Sequence, residues 1–138
     1  MDISKTPTRI AIVAGEASGD LLGAGLIREL KKHLPDIEWM GIGGPEMIRE
    51  GFNSRIDMQR LSVMGISDAL LHYPKLFKIR KMLYKEWQKN PPDVFIGIDY
   101  PYFNLSLELR LKKLGIKTVH LVSPKIWAWR QKRVFYIK

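Results

Sequence analysis

Residues 91–103 read PPDVFIGIDYPYF, and the fold is decided here. Val94, Phe95, Ile96 and Ile98 form a short apolar run, rich in β-branched and aromatic residues and punctuated by Gly97, as a strand buried on both faces requires. The stretch therefore predicts a central parallel strand. Asp99 stands at its carboxyl end, and Pro101 follows where a first helical residue tolerates proline, because the missing N–H would be unpaired there anyway. Asp99 thus falls in a strand-to-helix turn. In open α/β sheets ligands bind outside the carboxyl ends of the strands, so a carboxylate at this turn is placed to meet a substrate. It is equally placed to cap the helix that Pro101 begins. Position alone leaves both readings standing.

Working toward the amino terminus, the same grammar repeats. Arg9 to Ala14 (RIAIVA) is a first strand, Gly15 to Asp20 (GEASGD) a tight loop, and Leu21 to His33 a helix ended by Pro35. Gly23, Ala24 and Gly25 cost helix propensity, so they imply close approach to the sheet or to a ligand. A glycine-bearing strand-to-helix turn offers free N–H groups and a positive dipole end, which makes it a candidate anion site. Capping of that helix by Ser18 or Asp20 is the competing reading. Without G-x-G-x-x-G, and with no acidic residue closing the second strand, a dinucleotide site is not expected. Glu38 to Ile42 is that second strand, followed by Gly43, Gly44, Pro45 and a short helix ending near Gly51. Leu61 to Ile66 (LSVMGI) is apolar, and its periodicity fits strand end and loop alike. Leu70 to Lys89 is mostly helical, begun or interrupted at Pro74, with six Lys or Arg against the single Glu86. That is a basic amphipathic helix.

Toward the carboxyl terminus, Pro101 to Leu114 is a helix closed by Gly115, with Lys112 and Lys113 suiting its last turn. Lys117 to Val122 is a further buried strand, and Lys125 to Lys138 (KIWAWRQKRVFYIK) reads as a final helix. Strands and helices alternate throughout, so the fold class is α/β, a doubly wound, mostly parallel sheet in one domain. The chain has 138 residues, 46% of them hydrophobic, and no cysteine, which rules out a disulfide framework and cysteine-based metal sites. Its net charge of +9 lies wholly in the last thirty residues: residues 1–108 carry 14 basic and 14 acidic groups, residues 109–138 nine basic and none acidic. Such an end suits nucleic acid, a membrane surface, a phosphorylated substrate, or solvent alone. No apolar run approaches the roughly 20 residues of a spanning helix. His33, His72 and His120 show no metal spacing, and His120 reads as a satisfied core histidine. There is no G-x-S-x-G nucleophile elbow.

Five stretches resemble one family. AGEASGD at Ala14–Asp20, GIGGPEM at Gly41–Met47, LSVMGI at Leu61–Ile66, FIGIDYPYFN at Phe95–Asn104 and VSPKIWAWRQKRVF at Val122–Phe135 are similar to the amino-terminal domain of lipid-A-disaccharide synthases, in that family's order and spacing. The resemblance implies a Rossmann-like, acceptor-side domain over residues 1–138, half of a GT-B inverting glycosyltransferase. It implies transfer of 2,3-diacylglucosamine from its UDP conjugate to 2,3-diacylglucosamine 1-phosphate (lipid X), in lipid A biosynthesis, with no cofactor. Asp99 then lies in the family's G-I-D-x-P motif as general base for the acceptor 6-hydroxyl. Glu16, Ser18, Gly19, Asp20, Gly43, Gly44, Ser123, Trp127 and Arg130 become expected substrate contacts, Asp20 more as a cap. Tyr100 and Tyr102 depart from the small and acidic residues common around that aspartate.

The resemblance stops where the family's first domain ends. The expectation is therefore a fragment, a split gene product whose UDP-binding half is separately encoded, or a paralogue without turnover that only binds lipid X or anionic membrane. The expected location is cytoplasmic and peripheral, on the inner face of a Gram-negative inner membrane. Trp127 and Trp129 among basic residues could stack bases, but the family motif that contains them needs no nucleic acid, so none is expected.

Overall fold

The computed structural model describes residues 8–34, 36–61 and 69–122, with the side chains of residues 69–73 and of Tyr102 excepted. Along these residues run β1 (Thr8–Ala14), α1 (Ala17–His33), β2 (Ile37–Ile42), α2 (Pro45–Arg49), α3 (Ala69–Lys89), β3 (Val94–Ile98), α4 (Pro101–Lys113) and β4 (Lys117–Leu121). The four strands form one parallel sheet in the order β2-β1-β3-β4. The first crossover carries the chain from β1 to β2 on one side, and the next places β3 on β1's other side. Direction reverses between β1 and β3, so their carboxyl ends open a crevice at the topological switch point.

Register sorts the side chains. Ile12 is level with Ile96 and Ala14 with Ile98 on one face, while Ala11 is level with Phe95 and Val13 with Gly97 on the other. α1 lies on the first face, where Gly19 comes so close that a Cβ would stand 3.2 Å from Ile98 Cγ2 and 3.4 Å from the Ala14 methyl. α3 and α4 lie on the second, where Trp87 meets Phe95 at 5.6 Å between ring centroids and Leu83, Phe103, Leu107 and Leu111 are buried. With helices on both faces, β1 reads as an unbroken apolar run from Ile10 to Ala14, as expected of a doubly covered strand.

Three expectations are corrected. The stretch GEASGD is mostly helix, not loop: α1 begins at Ala17, because the small residues of its first turn pack against the sheet. α3 passes through Pro74 unbroken, since the amphipathic run beyond it, anchored by buried Ile79, Leu83 and Trp87, outweighs one lost i→i−4 bond. β4 is not fully buried. Among the described residues it is the sheet's edge, with Lys117 and Val119 exposed and His120 and Leu121 half-buried. His120 is satisfied as expected, its Nδ1 2.7 Å from Glu108 Oε2. Leu61 is buried; the rest of LSVMGI and the predicted final helix lie outside the described residues.

Candidate active site at the switch point

Asp99 follows β3 directly, and both it and Tyr100 have left-handed backbone, with φ of 51° and 50°. Such a conformation costs about 1–3 kcal/mol at a non-glycine residue and persists only where its surroundings over-determine it. Those surroundings are visible. The Asp99 N–H donates to the Leu121 carbonyl at 2.8 Å, and its carbonyl accepts from Asn104 Nδ2 at 3.0 Å. The same Asn104 amide, wholly buried in α4, reaches the Val13 carbonyl at 3.2 Å and the Ile98 carbonyl at 3.3 Å. One side chain thus pins the carboxyl ends of β1 and β3 to the turn between them. The N-cap of α4 is Tyr100, whose own side chain makes no cap bond, so Asp99 stands one residue before the cap position. The Asp99 side chain is held at the crevice, 4% exposed.

Tyr100 closes the floor. Its ring lies over Gly15, where a Cβ would meet it at 3.1 Å, and its hydroxyl donates to the Leu61 carbonyl at 2.8 Å. Burial, and next the nearby charge of Glu16, push its phenol up to about 12, so it remains a donor at any physiological pH. A small residue here, as the family commonly has, would leave that floor open. Glu16 is the half-buried N-cap residue of α1 and makes no side-chain cap bond. Behind it, the N–H groups of Ala17, Ser18 and Gly19 have no acceptor within α1, while that of Asp20 donates to the Glu16 carbonyl at 2.9 Å.

Asp20 is a cap, but of another helix. Only 2% exposed, its carboxylate accepts the N–H of Gly44 at 3.0 Å, Met47 at 2.9 Å and Glu46 at 2.9 Å, so it caps α2 from inside α1. The N–H of Gly43 donates to Ser54 Oγ at 3.0 Å. Both glycine amides are therefore engaged within the protein. What the turn offers is closeness: a Cβ on Gly44 would fall 2.5 Å from Asp20 Oδ2. Sequence reading missed Asn104, whose signal was an amide of poor helix propensity in an otherwise apolar helix face. It also missed Ser54, which carries no signal. Ser123, Trp127 and Arg130 lie outside the described residues. Among the described residues no group of three His, Cys, Asp or Glu could hold a metal ion.

Comparison with known proteins bears on the same residues. The family profile described as "Lipid-A-disaccharide synthetase" matches residues 10–138. Lipid-A-disaccharide synthase 2 of Legionella pneumophila (strain Philadelphia 1) is 71% identical over 97% of this chain, and lipid-A-disaccharide synthase of Vibrio campbellii 57% identical over 96%. In each case the match takes in 35% of the relative, so the chain spans about a third of the length of these proteins. Among solved structures, one titled as the glycotransferase of kitacinnamycin superposes with a TM-score of 0.54 at 18% identity, over 93% of this chain and 34% of that one, which is a likeness of fold. The profile covers nearly the whole chain and includes every element that builds the crevice, and so the chain belongs to the lipid-A-disaccharide synthase family.

Proposed function

We propose that this chain is the acceptor-side domain of a lipid-A-disaccharide synthase, and that Asp99 is the general base. The acceptor 6-hydroxyl oxygen of lipid X attacks C1 of the UDP-linked 2,3-diacylglucosamine from the face opposite UDP. Its proton passes to Asp99, the C1–O bond to UDP breaks, and UDP leaves with the electron pair. The observation that carries the reading is Asp99 itself: a carboxylate at the switch point, on strained backbone, one residue before the N-cap of α4. The N–H groups at the start of α1 that have no acceptor within the helix, around Ser18 and Gly19, suit the acceptor phosphate. Gly43 and Gly44 would supply a close backbone wall, and Ser123, Trp127 and Arg130 remain contacts suggested by the family motif alone.

Transfer needs donor and acceptor held together, and much of the rate comes from that positioning. The UDP site would come from the part of the relatives beyond the matched third, in the same chain or as a separate polypeptide. The test supplies that part from the Legionella pneumophila relative and measures UDP release dependent on lipid X. Asp99→Asn should lower kcat roughly 10²-fold or more. Near-normal kcat with an intact fold would refute the assignment, and robust turnover by the 138-residue chain alone would refute the need for a second part.

A membrane-facing role for α3 belongs to the same proposal. Lys75, Lys78, Lys81, Lys85 and Lys89 are exposed along it, and Phe77 is 41% exposed with the Arg80 guanidinium 5.2 Å from its ring centroid. No helix among the described residues is long and apolar enough to cross a membrane. A basic, aromatic-bearing helix lying on an anionic inner-membrane surface would meet acylated substrates without extracting them from the bilayer.

A further inference from the structure

The crevice continues into an apolar groove on the α1 face of the sheet. Leu121, whose carbonyl holds the Asp99 N–H, lines it from β4. Ser18, Leu21, Leu22, Gly25 and Leu26 line it from α1, and Glu29 stands at its far end. Its volume is about 570 Å³, within the range of small-molecule sites. From Ser18 to Glu29 it follows α1 for about 16 Å, at 1.5 Å per residue. Leu21 is 63% exposed, and Val119, on the Leu121 face of β4, is 42% exposed.

Gly25 identifies what the groove is for. The other α1 glycines are required by packing: a Cβ on Gly19 would press on Ile98, and one on Gly23 would come within 2.6 Å of Met47 Sδ. A Cβ on Gly25 meets nothing within 4 Å. A mid-helix glycine destabilises its helix relative to alanine, and here neither packing nor positive φ requires it. What it does is keep the middle of the groove empty.

We infer that this groove holds a fatty acyl chain of the acylated sugar whose head group sits at the crevice. The inference rests on the lipid-sugar reading proposed above. The groove shares Ser18 with the first turn of α1 and Leu121 with the anchor of Asp99, so a chain leaving a sugar at the crevice can run into it. An open, leucine-lined space that runs along α1 and has Glu29 as its one charged lining residue suits a flexible hydrocarbon. Each methylene that it buries should tighten binding roughly threefold to fourfold.

The test uses the 138-residue chain and three kinds of probe: glucosamine 1-phosphate, a series of 2,3-diacylglucosamine 1-phosphates of increasing chain length held monomeric, and anionic vesicles. Gly25→Leu fills the groove while improving helix propensity, so its thermal midpoint should equal or exceed the parent's. The expected result is that parent affinity rises with chain length, that Gly25→Leu abolishes this dependence, and that glucosamine 1-phosphate and vesicle binding are unchanged. If no glucosamine phosphate binds at all, the lipid-sugar reading fails and takes the inference with it. If the series binds but the parent shows no length dependence, or Gly25→Leu keeps it, the groove assignment alone is overturned. An equal loss of vesicle binding in Gly25→Leu would also overturn it, because the groove would then be contacting bilayer rather than a substrate chain.

Discussion

Replacing Asp20 tests how the crevice is braced. Its carboxylate bonds three N–H groups of the Gly44–Met47 turn, two of them in wholly buried pairs. Asp20→Ala removes every acceptor. A buried donor left unpaired costs about 1–3 kcal/mol and a lost cap about 1 kcal/mol. α2 is five residues long and can shift to admit water, so the low end applies, and we expect about 3 kcal/mol of destabilisation. Asp20→Asn keeps one oxygen, which can serve Gly44 and Met47 as Oδ1 does, and turns its N–H₂ toward the Glu46 N–H. The cost should be about 1 kcal/mol. With a urea slope of about 2 kcal/mol/M, the midpoint falls by about 1.5 M for Ala and about 0.5 M for Asn at unchanged slope. Amide exchange at Gly44, Glu46 and Met47 should accelerate before global unfolding in the Ala variant. A shift under about 0.5 kcal/mol for Asp20→Ala, or an Asn variant as damaged as Ala, would refute the reasoning.

Other perturbations give equally direct outcomes. Asn104→Asp should destabilise more than Asn104→Ala in urea unfolding, because it sets carboxylate oxygens against the carbonyls of Val13, Ile98 and Asp99. Tyr100 has a folded value of about 12 against about 10 unfolded, so between those pH values the unfolded chain releases a proton that the folded chain keeps. Stability should therefore fall as pH rises from about 10 to 12, with a shallower decline in Tyr100→Phe. Lys78→Glu, Lys81→Glu and Lys85→Glu together should weaken co-sedimentation with anionic vesicles, and added salt should weaken that of the parent; equal binding by both proteins would remove α3 from the membrane proposal. Arg80 is left out because it is buried against Phe77.

The sheet was legible because its strands obey local rules. RIAIVA, EWMGI and VFIGI are short apolar runs bounded by turn residues, and each falls within a residue of its strand. The start of α1 was not legible, since Ala-Ser-Gly-Asp reads as loop until the closeness of Gly19 to Ile98 is known. That contact is tertiary, and propensity carries no trace of it. For Asp99 the strand-end position and the motif pointed to the crevice, but its left-handed backbone and its place one residue before the N-cap of α4 could not be read from the residues. Asp20 shows the converse: its chemistry as a cap was readable, while the helix it serves lies 24 residues away along the chain and could not be. The exposure of β4 follows from its place at the sheet's edge among the described residues, which its own apolar pattern does not encode.

The strand order sets a schedule for folding. β1 can pair with β2 as soon as α1 has formed, but its other edge waits for β3, across a loop about three times as long. By chain-closure entropy that second pairing costs about 1 kcal/mol more, and it cannot begin on the ribosome until residue 98 has emerged. Until then the apolar run from Ile10 to Ala14 presents an open edge, the kind of surface that pairs with other chains. A polypeptide of this family released before β3 is complete would therefore be a candidate for aggregation or for chaperone capture. The crevice, which needs both strand ends, would be among the last features to exist.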